Sequence, residues 1–168
     1  MKKILIIGGG AMGSAFSVPC IENNNSVTIT EPYSKLFIRN LSSKKKFHSA
    51  LKINLPKKLK FRKFSSSLLM EKFDLIVIAL SLSGINFIGN QLKSLNVKTP
   101  VLVLTKGLKY EKKTKRILTI SEQLKKIYNV SNISILKGPC LAKELARKKQ
   151  TSVIVASKNI KIAKWIGK

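Results

Sequence analysis

The amino-acid sequence predicts an α/β fold, a doubly wound domain built on a mostly parallel sheet. Three observations carry that expectation. Strand-like and helix-like segments alternate along all 168 residues, the pattern of a sheet wound through crossover helices. Several strand segments are continuous apolar runs, as needed where helices cover both faces of a sheet. The third lies at the amino end, where Ile4-Leu5-Ile6-Ile7 runs directly into Gly8-Gly9-Gly10-Ala11-Met12-Gly13.

In chain order, strands are expected at Lys3–Ile7, Val27–Thr30, Leu75–Ala79, Val101–Leu104, Ile133–Leu136 and Ser152–Ala156. Helical patterns fall at Gly13–Asn23, Tyr33–Ser42, Gly84–Leu95, Lys113–Tyr128, Pro139–Lys148 and Ile160–Gly167. Between Lys44 and Lys72 the chain is basic and poorly patterned, with Pro56 and Ser65-Ser66-Ser67; a short strand is expected at Phe61–Phe64 and a short helix at Leu68–Lys72. No repeat or linker divides the chain, so residues 1–168 read as one domain. Its last segment, Lys158–Lys168, is expected to be a helix with no closing strand, which makes the chain an N-terminal piece whose partner domain would follow. The glycine pattern sits after a strand and before a helix, the context of a Rossmann-type dinucleotide-binding domain. Gly8 would allow the tight turn, Gly10 the approach of a pyrophosphate, and Gly13 close packing of helix on strand. The helix would aim free N–H groups and its positive dipole end at the phosphates.

Composition narrows the classes further. Hydrophobic residues make up 44% of the chain, which excludes a disordered polyelectrolyte. No apolar run approaches the ~18 residues of a membrane span, so no membrane insertion is expected. Met1-Lys2-Lys3-Ile4 resembles a signal-peptide start, but the apolar stretch ends at once in the glycine turn, so it reads as a strand. Cys20 and Cys140 lie far apart without ligand spacing, which argues against a disulfide framework or a metal site and fits the cytoplasm. The net charge of +26 rests on 29 lysines and only 4 arginines spread along the whole chain, and lysine, asparagine and isoleucine together supply 60 residues. That spread, without interleaved aromatics for base stacking, reads as a solvated surface; no specific nucleic acid is expected as a partner.

Three further segments carry candidate chemistry. Glu31 ends the second strand, where a carboxylate can accept hydrogen bonds from the adenosine ribose and repel a 2′-phosphate, favouring NAD over NADP; a surface glutamate at a strand end is the plainer alternative. Thr105-Lys106-Gly107 follows the strand Val101–Leu104, so Lys106 stands where a cation can meet a ligand oxygen, or where one lysine among many is simply solvated. Gly138-Pro139-Cys140 precedes the next helical pattern, with Pro139 suited to a first turn. The turn can serve a polar ligand or only connect strand to helix. His48, the only histidine, is expected to be a solvated loop residue. Lys44-Lys45-Lys46 reads as a solvated helix end, Cys20 as a small buried hydrophobe and Trp165 as an anchor for a following domain.

Taken in order, Ile7-Gly8-Gly9-Gly10-Ala11-Met12-Gly13-Ser14-Ala15, Thr105-Lys106-Gly107-Leu108 and Gly138-Pro139-Cys140-Leu141-Ala142-Lys143-Glu144-Leu145-Ala146 resemble the bacterial-type NAD(P)-dependent glycerol-3-phosphate dehydrogenases. The likeness runs over residues 1–168 and includes Thr151–Ser157. It implies hydride transfer from NADH or NADPH to dihydroxyacetone phosphate, giving sn-glycerol 3-phosphate for phospholipid synthesis. By this resemblance Ala11, Met12, Pro32 and Ala142 match cofactor contacts, beside Gly8, Gly10, Gly13 and Glu31. Lys106 matches a lysine shared by cofactor and substrate and would position the substrate carbonyl. Gly138 and Cys140 match substrate contacts. The family's proton-transferring lysine lies in a later Lys-Asn motif beyond Lys168, as does a helical C-terminal domain. That placement implies that this chain alone turns over little or nothing, and admits a homodimer formed through that domain.

The sequence departs from the family pattern in places. Cys140 replaces the usual serine or threonine, exchanging a hydroxyl for a weaker thiol donor. Ala79-Leu80-Ser81 lacks the usual proline, and Ser49–Pro56 only faintly matches a proline-rich loop. Two other readings remain beside a dehydrogenase: a non-catalytic NAD(P)-sensing domain and a basic polyanion binder.

Overall fold

A computed structural model of the protein describes residues 1–34, 46–112, 114–128 and 132–167. The expected helix Tyr33–Ser42 lies outside these residues beyond Ser34, as do Lys44 and Lys45 of the lysine run. The strands among the described residues are β1 (Lys3–Ile7), β2 (Ser26–Glu31), β3 (Phe47–His48), β4 (Ile53–Asn54), β5 (Lys60–Lys63), β6 (Leu75–Ile78), β7 (Val101–Val103), β8 (Leu108–Glu111), β9 (Arg116–Thr119), β10 (Ile133–Lys137) and β11 (Ile154–Ser157). The helices among the described residues are α1 (Ala11–Glu22), α2 (Ser66–Met70), α3 (Gly84–Ser94), α4 (Ile120–Ile127), α5 (Ala142–Ala146) and α6 (Ile160–Ile166).

Seven strands form one sheet in the order β11-β10-β7-β6-β1-β2-β5. All neighbours are parallel except β11, which pairs antiparallel with β10 at the edge. The order therefore reverses at β1, which has β2 on one side and β6 on the other. A crevice at the carboxyl ends of the strands opens at such a reversal.

The continuous apolar strands are explained by two cores, one on each face. Leu5, Ile7, Ile76, Ile78, Val101 and Val103 point into the core covered by α3 and α4, where Ile85, Ile88, Leu92 and Leu124 meet them. Their neighbours Ile4, Ile6, Leu75, Val77, Leu102 and Leu104 point to the opposite face, against Ala15 of α1 and Ala146 of α5. Successive strand side chains face opposite ways, so strands covered on both faces must be apolar throughout. The α1 face is less tightly filled. An apolar cavity of about 520 Å³ remains between Phe16 and Cys20 of α1, Leu145, Val155 of β11 and Trp165 of α6.

The structure corrects three expectations. Helix Lys113–Tyr128 shrinks to Ile120–Ile127, because Leu108–Glu111 and Arg116–Thr119 pair antiparallel as β8 and β9; Lys113 lies outside the described residues. The helix begins where Thr119 accepts from Glu122 N–H while the Glu122 carboxylate accepts from Thr119 N–H, a capping box. Helix Pro139–Lys148 shrinks to Ala142–Ala146, so Pro139 does not open it. Gly138 has φ +137° and Cys140 N–H donates back to its carbonyl at 2.9 Å, which turns the chain before any helix begins. The basic stretch after Lys44 is also better organised than its pattern suggests. Leu51, Leu55 and Leu59 are buried in the α1-side core, and β5 spans Lys60–Lys63 beside β2.

Two glycines fix how α1 meets β1. A Cβ at Gly13 would lie 2.0 Å from the Gly8 carbonyl oxygen, whereas a Cβ at Gly10 would meet nothing within 4 Å. Gly13→Ala is expected to lower unfolding stability by more than about 2 kcal/mol, since backbone must move to admit it. Gly10→Ala, at φ −61° in an extended conformation any residue adopts, is expected to change it by less than about 0.5 kcal/mol. Urea denaturation of the two variants checks the contrast.

Candidate dinucleotide site

The site begins with the turn from β1 into α1. Gly8 has φ +114°, a conformation that favours glycine, and a Cβ there would lie 2.5 Å from Ala79 O. Gly8 N–H donates to Thr30 O at 2.8 Å, and Ala79 N–H to Ile7 O at 2.8 Å. The turn is thus stitched to both neighbouring strands. The first intrahelical bond beyond it runs from Ser14 N–H to Gly10 O at 3.0 Å. The N–H groups of Gly10, Ala11, Met12 and Gly13 precede that bond, and such amino-terminal donors have no partner within a helix. The open space over Gly10 leaves room for a phosphate beside them. The residues therefore fit a dinucleotide pyrophosphate.

Glu31 closes one side of this turn. Its Oε2 accepts from Gly9 N–H at 2.9 Å and its Oε1 from Tyr33 N–H at 3.0 Å. Each carboxylate oxygen retains further acceptor capacity, so ribose hydroxyls can still be received. Pro32 lies between Glu31 and Tyr33 in the chain and is half-buried. Tyr33 extends this wall, with its ring 5.8 Å from that of Phe87 on α3. Partial burial and the neighbouring Glu31 carboxylate both push the Tyr33 phenol pKa up.

On the other side of the turn lies a cleft of about 250 Å³. Met12 reaches it from the first turn of α1, Ala79 and Leu80 from the end of β6, Leu104, Thr105 and Lys106 from beyond β7, and Cys140, Leu141 and Ala142 from the approach to α5. The structure thus brings Met12, Lys106, Cys140 and Ala142 together, from segments far apart in sequence. Lys106 is exposed. Beside it, Thr105 is held in place: its hydroxyl donates to Leu80 O at 2.8 Å, and Lys137 Nζ donates to its carbonyl at 3.3 Å. Cys140 is buried, 3% exposed. Gly138 sits behind the cleft at the β10–β11 edge, where a Cβ would lie 2.6 Å from Ser152 O. Packing alone therefore accounts for a glycine at that position.

His48 corrects another expectation. It is not solvated but 2% exposed on β3, with Nε2 at 3.2 Å from Gly9 O and Nδ1 accepting from Leu51 N–H at 3.3 Å. Sequence reasoning missed it because its polar neighbours conceal the Leu51, Leu55 and Leu59 spacing that buries the segment. Lys46, read as solvated, donates from Nζ to Lys57 O at 2.5 Å and Leu59 O at 2.6 Å, and partial burial lowers its pKa. Trp165 is half-buried against the α1-side core, with Lys2 Nζ 5.7 Å from its ring centroid.

A glycine turn feeding a helix at the reversal of a parallel sheet, with an acidic residue at the end of the second strand, defines a Rossmann-type dinucleotide-binding domain. Residues 3–163 match the family described as NAD-dependent glycerol-3-phosphate dehydrogenase N-terminus, and the chain belongs to that family. A curated relative from Clostridium botulinum, named glycerol-3-phosphate dehydrogenase (NAD(P)+), is 27% identical over 166 residues, covering 97% of this chain and 48% of the relative. One of the same name from Francisella tularensis is 28% identical over 169 residues, covering 98% and 49%. The chain thus spans about half the length of the curated relatives it matches. The crystal structure of glycerol-3-phosphate dehydrogenase from Coxiella burnetii superposes with a TM-score of 0.82 at 21% identity, over 98% of this chain and 49% of that one. That likeness speaks for the fold. Among the described residues no helix is long and apolar enough to cross a membrane.

Cys20, on the cavity side of α1, was expected to be a small buried hydrophobe, and burial pushes its thiol pKa up to about 12. The thiolate is the reactive form. Alkylation of Cys20 by iodoacetamide at pH 8 is therefore expected to be roughly a thousandfold slower in the folded chain than in the unfolded one, as read by peptide mass spectrometry over time.

Proposed function

We propose that this chain supplies the cofactor-binding half of an oxidoreductase that reduces dihydroxyacetone phosphate to sn-glycerol 3-phosphate. The observation that carries the reading is the convergence of Met12, Lys106, Cys140 and Ala142 on one cleft beside the glycine turn. Membership of the glycerol-3-phosphate dehydrogenase N-terminal family supports it. In this reading residues 1–168 act as one NAD(P)-binding domain, in the cytoplasm, and a homodimer would form through a further helical domain.

A bound nicotinamide supplies the hydride chemistry. The chain's own residues bind and orient. Gly8 and Gly13 bring the amino end of α1 to the carboxyl end of β1, so the N–H groups of Gly10, Ala11 and Met12 receive the pyrophosphate. Glu31 and Pro32 face the adenosine end. The Glu31 carboxylate favours two ribose hydroxyls over a 2′-phosphate, hence NAD over NADP. Ala142 borders the nicotinamide end of the cleft. Lys106, which lines the cleft, would direct its ammonium toward the substrate carbonyl oxygen and stabilise negative charge developing there. Cys140, which lines the cleft, would contact the substrate through a thiol in place of a hydroxyl, and the family resemblance gives Gly138, on the turn just before it, a substrate contact as well. The proton itself would come from a lysine outside residues 1–168.

Isothermal titration calorimetry tests binding. NADH is expected to bind more tightly than NADPH, and Glu31→Ser is expected to reduce that preference by about tenfold, or roughly 1.4 kcal/mol. Equal affinities in the parent chain, unaltered by the substitution, would contradict the role given to Glu31; no binding of either nucleotide would contradict the reading as a whole.

A further inference from the structure

We propose that His48 is a positioning residue of the glycine turn: its neutral imidazole, protonated on Nε2, anchors the Gly9 carbonyl and so directs the Gly10 N–H toward the pyrophosphate. The inference rests on reading the turn as a dinucleotide site. Leu51 N–H donates to Nδ1 at 3.3 Å, so that nitrogen carries the lone pair and the proton resides on Nε2. Nε2 lies 3.2 Å from Gly9 O, which can only accept. Both contacts demand the same tautomer.

Two more side chains grip the same residue. Ser14 Oγ donates to Gly9 O at 2.8 Å, and Gly9 N–H donates to Glu31 at 2.9 Å. Gly9 has no side chain of its own, yet both of its main-chain polar groups are held by residues of α1, β2 and β3. Glycine loses more conformational freedom on ordering than any other residue. A turn made of three glycines would otherwise have to be ordered at the expense of ligand affinity, and fixing it beforehand removes that cost. In a trans peptide unit the C=O and the following N–H point in opposite directions. A Gly9 carbonyl anchored toward the buried His48 therefore sends the Gly10 N–H the other way, and Gly10 itself is uncrowded, with nothing within 4 Å of a Cβ built there. The β3–β4 hairpin, 39 residues from Gly9 in the chain, acquires a purpose that its sequence does not advertise.

The test is titration of ADP-ribose into the 168-residue chain and three variants, following affinity and the Gly10 amide resonance, with thermal unfolding recorded alongside. His48→Leu is expected to weaken ADP-ribose binding about five- to tenfold, the effect of one lost hydrogen bond, and to displace the Gly10 resonance. His48→Gln, whose side-chain amide can replace the Nε2–H donor, is expected to recover most of the affinity. Ser14→Ala, which removes the other donor to the same oxygen, is expected to weaken binding in the same direction. Recovery by glutamine separates positioning from mere filling of space. Wild-type affinity in His48→Leu, or a His48→Gln variant as weak as His48→Leu, would overturn the proposal. Should the leucine variant not fold, the imidazole ¹⁵N spectrum of the parent chain decides. It is expected to show the proton on Nε2 and a response of that signal to ADP-ribose; a proton on Nδ1, or no response, overturns the proposal. Failure of the parent chain to bind ADP-ribose would overturn the dinucleotide reading and this inference with it, whereas unaltered binding in the variants would overturn this inference alone.

Discussion

A helix can present its amino end to a ligand at the end of a strand only when the intervening backbone lets the two come close. Here that approach is set at Gly13, where a Cβ would lie 2.0 Å from the Gly8 carbonyl oxygen, and at Gly8, where one would lie 2.5 Å from Ala79 O. Any side chain at either position would push α1 off β1 or β1 off the end of β6. The four N–H groups that precede the first intrahelical bond of α1 would then no longer stand over the reversal of the sheet. The crevice, the open space over Gly10 and the approach of Met12 to Lys106 all follow from this contact between backbones.

The two-faced core makes the contact rigid. Leu5 and Ile7 pack on one side of β1, Ile4 and Ile6 on the other, and all four are 5% exposed or less. A strand held so firmly on both faces gives the turn after it a fixed starting point. The charge of the chain plays little part in this frame. The ion pairs Arg62–Glu71 and Lys126–Glu111 lie at the surface, where water and salt screen them and they add little to stability. The chain holds only 7 acidic residues against 33 lysines and arginines, so most of its positive charge is left to solvent and counterions.

The sheet was legible because its strands carry their burial in their own residues: a run such as Leu75-Ile76-Val77-Ile78 has few alternatives. The glycine turn was legible for the same reason, its constraints being local. What escaped depends on contacts between distant segments. The hairpin β8–β9 hides in a lysine-rich run whose polar residues are equally compatible with an amphipathic helix, although Thr119-Ile120-Ser121-Glu122 marks the true helix start. Pro139 resembles a helix opener, yet Gly138, at φ +137°, turns the chain first. His48 shows the limit most clearly. Nothing beside it in sequence announces burial, and its partner Gly9 comes from the other end of the domain.

On the proposed reading, the turn at Gly8–Gly13 and the cleft at Lys106 form one dinucleotide site. A crystal structure of the chain grown with NADH tests it most directly. The pyrophosphate is expected against the N–H groups of Gly10, Ala11 and Met12, the ribose at Glu31, and the nicotinamide in the cleft between Lys106 and Ala142. Nucleotide bound elsewhere, in the apolar cavity beneath α1 for example, with the glycine turn vacant, would contradict it.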